Sequence, residues 1–146
     1  MAQNTFGCTF QLSATAITGT STGKLSEVTN VNLPDPSRDA EETTHHDSVG
    51  GVAEMQPSAI VNVGQIEVEM NWVAGSATDI QCEAAVYSAT VQYFKARAPI
   101  PGGATFREYT GSGVVTGYKR PPLGVKGVPK ATITVQPSGA VTRTTV

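Results

Sequence analysis

Glu41, Glu42, His45, His46 and Asp47 form the one group in this 146-residue sequence whose residue types suit a metal ion. Adjacent histidines in an extended segment point to opposite sides, so His45 and His46 are poorly placed to share one cation. A hydrolytic scheme would recruit Ser48, His46 and Asp47 as nucleophile, base and orienter, yet three chain neighbours in an acidic loop have no separate rigid supports. Gly111-Ser112-Gly113 lacks the lysine and the strand-to-helix setting of a phosphate-binding loop and reads as a turn or bulge. Glu67 and Glu69 share a strand face, where a glycosidase pair would be sought, but a solvated face is the commoner outcome. Tyr93, Phe94, Lys95 and Arg97 interleave aromatic and basic side chains, a weak nucleic-acid signal on one strand of an acidic chain. No convergent catalytic set emerges, and neither an enzyme nor a bound cofactor or metal is expected.

The elements that would position these residues are mostly strands. The chain has 17 Val and 19 Thr against 4 Leu, and β-branched side chains suit a pleated surface. With 39% hydrophobic and 15% charged residues and a net charge of -2, it reads as one folded domain, 1–146, with no charge excess to hold it open. The first residues lack a basic opening and an apolar run, and nowhere do 18 apolar residues follow one another, so neither a signal peptide nor a membrane span is expected. Cys8 and Cys82 are too few for a zinc framework and are expected to be reduced, buried thiols.

Period-two alternation marks Phe6 to Ala16 as a strand, with Phe6, Cys8, Phe10, Leu12, Ala14 and Ala16 on one face. A polar turn at Gly19 to Gly23 leads to a second strand, Lys24 to Leu33. The pattern then lapses for about 28 residues, roughly 36–62, an unusual length for a loop in a small domain, with residues 40–44 able to extend within it. Gly64 opens the clearest strand, in which Ile66, Val68, Met70 and Trp72 face one side and Gln65, Glu67, Glu69 and Asn71 the other. Residues 78–88 predict the only helix, capped by Ser76 or Thr78, with Asp79 and Glu83 favouring its N-terminal end and Ile80, Ala84 and Tyr87 on one side. Strands follow at 90–97, 105–109, 114–119, 130–136 and 140–146. They are separated at Pro99 to Gly103, Gly111 to Gly113, Arg120 to Gly124 and a hairpin turn, Gln136 to Gly139. The expected fold is mainly β, a sandwich or barrel of about seven short strands with one short helix and one long loop.

Charge is unevenly distributed. Residues 1–94 hold eleven of the 12 acids and two of the 10 bases, leaving residues 95–146 with one acid and eight bases. Two oppositely charged surfaces of this kind suit a head-to-tail contact between copies.

The order of segments resembles the major tail tube proteins of long-tailed, non-contractile bacteriophages. A β-hairpin, an acidic loop carrying Glu42-Thr43-Thr44-His45-His46-Asp47-Ser48-Val49-Gly50-Gly51, the strand Gly64 to Trp72, a short helix and Gly/Pro-punctuated strands cover nearly the whole chain. The resemblance implies six-membered rings, joined edge to edge through a continuous β-barrel and stacked into a tube for DNA. Contractile tails and type VI secretion tubes share the fold and are the nearest alternative; a β-sandwich binding or capsid-decorating module is a different class. Many tail tube proteins carry a C-terminal immunoglobulin-like domain; with the sequence reaching Val146, none is expected here.

In this reading Gln65, Glu67, Glu69 and Asn71 line an electronegative lumen, where carboxylates repel phosphates and the absence of Lys or Arg leaves DNA free to slide. Asp39, Glu41, Glu42, Thr44, His45, His46 and Asp47 belong to an inter-ring loop that orders on assembly. Lys95, Arg97, Arg107, Lys119 and Arg120 are candidates for its basic partner surface. The implied partners are other copies, terminator, tip or initiator and tape measure proteins, and transient non-specific DNA. The implied location is the virion tail, assembled in the bacterial cytoplasm.

Overall fold

A computed structural model describes residues 6–102 and 104–146. Gly103, at the end of an expected turn, lies outside them. The chain is mainly β. Among the described residues the strands are β1 (Thr9–Ser13), β2 (Val28–Asn32), β3 (Ser37–Glu42), β4 (Met55–Asn62), β5 (Ile66–Asn71), β6 (Gln92–Pro99), β7 (Phe106–Lys119) and β8 (Lys130–Thr145), with one α-helix, α1 (Ala77–Tyr87). Six strands form an antiparallel sheet in the order β1-β6-β7-β8-β5-β2, which curls into a half-barrel, and β3 pairs with β4 alone.

The core follows the alternation. Phe10 and Leu12 of β1, Ile66, Val68 and Met70 of β5, Phe94 and Ala96 of β6, and Ala131, Ile133 and Val135 of β8 are buried together. The Phe10 and Phe94 rings stack with centroids 6.4 Å apart. Strand β1 is shorter than expected: Phe6, Ala14 and Ala16 are exposed beyond it. Gln11 is buried on the opposite face because the 19–22 turn folds over it, its Nε2 donating to the Thr22 carbonyl at 3.0 Å. The second strand is interrupted at Glu27, whose φ of 55 turns the chain. Lys24 bridges Gln11 on β1, and β2 pairs with β5, so this one segment reaches both edges of the curled sheet.

Two expected separators do not interrupt the strands: Gly111 to Gly113, expected as a turn or bulge, lies at a register shift, and Gln136 to Gly139 is not the expected hairpin turn. Strand β7 runs through Gly111 to Gly113, and β8 through Gln136 to Gly139, because the two irregular stretches lie opposite each other, Ser112 against Ser138 and Gly113 against Pro137. Glycine is required there for close approach: a Cβ on Gly113 would sit 2.4 Å from the Gln136 carbonyl oxygen, and one on Gly111 would sit 3.0 Å from the Phe94 ring. Register shifts between Thr110 and Ser112 and between Val115 and Gly117 let these long strands bend and serve both halves of the sheet. The first half of β7 pairs with β6, and the first half of β8 with β5.

Helix α1 starts where expected, with Ser76 Oγ accepting from the Asp79 N–H at 3.2 Å. Its inward residues are Thr78, Asp79, Cys82 and Ala85, whereas Ile80 and Tyr87 are exposed. Hydrogen bonds decide this. Thr78 Oγ1 accepts from the Ser26 N–H at 3.0 Å, and Asp79 accepts from the Trp72 Nε1–H at 2.9 Å and the Tyr118 hydroxyl at 2.7 Å. Burial pushes the Cys82 thiol up to about 12, so it stays protonated. Cys8, expected to be buried as well, is only half-buried.

Candidate functional site

The segment expected as a loop at 36–62 is a two-stranded arm. Strands β3 and β4 pair from Ser37 with Asn62 to Glu42 with Met55, and a short 3-10 turn at Val49–Gly51 lies in the tip. Both faces of the arm are exposed nearly throughout, so there was no alternation for the sequence to display. Neither strand packs substantially on any other element. Asp39, Glu41, Glu42, Thr44, His45, His46 and Asp47 are all exposed on it. Thr44 and His45 also hold the tip in shape: the Glu54 N–H donates to Thr44 Oγ1 at 2.8 Å, and His45 Nε2 lies 3.4 Å from Glu54 Oε2. His45 Nδ1 also accepts from the Asp47 N–H at 3.2 Å.

Strand β5 turns Ile66, Val68 and Met70 inward, which leaves Gln65, Glu67, Glu69 and Asn71 at the outward positions. Glu67 stands between Asn32 and Thr134, and Glu69 between Asn30 and Thr132. The result is a polar strip across β2, β5 and β8. Glu67, Gln65, Asp35 and Asn32 also line a recess of about 500 Å³ with Val31 and Leu33. The strip is not free of cations, contrary to expectation. Lys130, which opens β8, places Nζ 3.5 Å from Glu69 Oε1, a contact that strand pairing creates and that β5 alone cannot reveal.

The five basic candidates divide into three groups. Lys95 and Arg97 are largely buried around Glu108: Lys95 Nζ lies 3.4 Å from Oε2, and Arg97 Nε lies 2.9 Å from Oε1 at an angle outside hydrogen-bond range. The Arg97 guanidinium also covers the Phe106 ring at 4.2 Å. These two bases are committed within the chain. Arg107 donates to Thr145 Oγ1 and, with Arg143 and Tyr109, lines a groove of about 870 Å³ against Pro34, Pro36 and Val61 at the root of the arm. Only Lys119 and Arg120 stand exposed at the end of β7, beside the connection that leads to Lys130. That connection also carries exposed Leu123, inside the expected separator Arg120 to Gly124, and exposed Val125 and Val128 just beyond it.

Neither a family model nor a curated protein matches the sequence. Solved structures do share the fold. The chain is similar to one in the virion of a native gene transfer agent particle, with a TM-score of 0.71 and 16% identity over 98% of this chain and 99% of that one. A chain in the tail of an empty gene transfer agent particle, refined with C6 symmetry, gives a TM-score of 0.69 with 17% identity over 98% and 99%. One in the sheath/tube terminator structure of an extracellular contractile injection system gives 0.69 with 10% identity over 99% and 97%.

Proposed function

We propose that this chain is a structural subunit of a phage-like tail tube, forming hexameric rings that stack around a channel for DNA. The observation that carries this reading is the end-to-end likeness to chains of tail particles, over 98% of this chain and 99% of theirs, one refined with C6 symmetry. The arm adds support: a two-stranded hairpin is marginal alone, so one that projects without packing on its own body calls for a partner. Under this reading residues 1–146 act as one tube domain, the arm at 36–62 reaches the next ring, and the outward face of β5 faces the channel. Partners would be further copies together with terminator, initiator and tape measure proteins, and assembly would take place in the bacterial host cytoplasm.

A contractile injection tube is the second reading, favoured by the likeness to a sheath-tube complex of a contractile injection system at a TM-score of 0.66 and 13% identity. We favour the non-contractile assembly on the sequence stretch Glu41 to Gly51. Negative-stain electron microscopy of the purified protein, alone and with its neighbouring gene products, tests the proposal. Hollow rings or tubes of uniform bore are expected. A monomer in both samples would overturn it.

A further inference from the structure

The two ends of β5 carry opposite chemistry. At the Ile66 end, Gly64 packs so tightly on Asp35 that a Cβ would lie 3.0 Å from the Asp35 backbone nitrogen and oxygen, which clamps the two roots of the arm together. At the Asn71 end, the Trp72 N–H donates to the Pro129 carbonyl at 2.9 Å and Lys130 pairs with Asn71, which fixes the 120–129 connection there. Six strand residues, about 17 Å, separate the arm's root from this connection.

Charge and exposed apolar surface match across that distance. The arm holds Asp39, Glu41, Glu42, Asp47 and Glu54 against Arg38, whereas residues 119–129 hold Lys119, Arg120 and Lys126 and no acid. Val49 at the tip is 86% exposed and Leu123 in the connection 82%, and Val125 is fully exposed. Apolar groups rimmed by opposite charges are complementary in both senses. Pro121, Pro122 and Pro129 restrict the connection's backbone in advance, which lowers the entropy cost of docking on it.

We infer that the 120–129 connection receives the arm tip of a second copy. The contact joins opposite ends of β5, so it is heterologous and repeats without closing, as a stack of rings requires. The inference rests on the self-assembly reading above and names the residues of its axial contact.

Two defective variants test it. The receiver variant carries Arg120→Glu and Lys126→Glu. The arm variant replaces residues 43–54 with Asn-Gly, joining Glu42 to its register partner Met55. Circular dichroism melting verifies that each folds, and sedimentation and electron microscopy read assembly beside the wild type. Neither variant should polymerise alone, but an equal mixture retains one good arm and one good receiver and should give particles of two layers and no more. Val125→Asp, at a fully exposed position, should weaken association by about tenfold. A receiver variant that builds tubes as readily as wild type, or a mixture that never associates while wild type polymerises, would overturn the inference and leave the tube reading standing. Wild type that never self-associates would remove both.

Discussion

The Tyr118 hydroxyl lies 2.7 Å from Asp79 Oδ1, tying the end of β7 to the first turn of α1. The same carboxylate accepts from Trp72, so one buried acid joins three elements around the helix N-terminus. Removing only the hydroxyl, in Tyr118→Phe, deletes a hydrogen bond to a charged group and should cost about 1.5–3 kcal/mol. Urea denaturation of the two proteins measures it. No change in midpoint would mean that the contact is not held in solution.

Asp79 also gives folding a pH dependence. The Tyr118 hydrogen bond holds its carboxyl below the ordinary aspartate value, with Trp72 and the Gly75 N–H assisting and burial opposing. A depressed folded-state pKa contributes stability that is complete above the unfolded value, about 3.9, and is lost as pH falls through the folded one. Asp79→Asn should therefore be less stable than wild type at pH 7, by roughly 2–3 kcal/mol, and the gap should narrow below about pH 4. Melting temperatures at pH 7, 5 and 3 check this. A gap constant across that range would exclude Asp79 as the titrating group.

Two glycines on β7 should differ sharply in their response to alanine. At Gly113 a methyl would meet the Gln136 carbonyl oxygen at 2.4 Å and Pro137 Cα at 2.9 Å, both backbone atoms, whereas at Gly117 it meets nothing within 4 Å. Gly113→Ala should destabilise by more than about 2 kcal/mol, and Gly117→Ala should stay within about 1 kcal/mol. Chemical denaturation of the pair distinguishes close approach from general loss of glycine.

Deleting residues 38–58 should leave the half-barrel intact, because none of the core residues belongs to the arm. Its melting temperature should match wild type within a few degrees, while tubes no longer form. Tubes of ordinary length from this variant would take the stacking role away from the arm.

Legibility in the sequence followed burial. Strand β5 was clear because one face is core and the other polar, whereas β3 and β4, wet on both faces, left no pattern. The buried helix stripe differs from the expected one because its inward members Thr78 and Asp79 are polar and owe their burial to Ser26, Trp72 and Tyr118, none of which a local periodicity can supply. Gly111 to Gly113 reads as a turn or bulge and Gln136 to Gly139 as a turn, since the composition of a close, irregular strand crossing and of a turn is the same. The cation beside Glu69 comes from β8, so no reading of one strand could locate it.

That cation bears on the proposed channel. If the outward face of β5 lines a DNA path, Glu67, which has no ion pair among the described residues, repels phosphate in full, while Glu69 is partly offset by Lys130. Exchanging both carboxylates for lysine turns two negative charges into two positive ones per subunit, and each ring would then bind phosphates and release their counterions. Tubes of Glu67→Lys with Glu69→Lys should assemble, since both side chains stand off the core, yet pass DNA more slowly. Higher salt should relieve the defect, because counterion release weakens with ionic strength. Lys130→Gln removes a positive charge from the same strip and should leave passage as fast as wild type. Ejection kinetics at two salt concentrations measure all three proteins. A double variant that ejects at the wild-type rate in low salt would remove Glu67 and Glu69 from the channel wall.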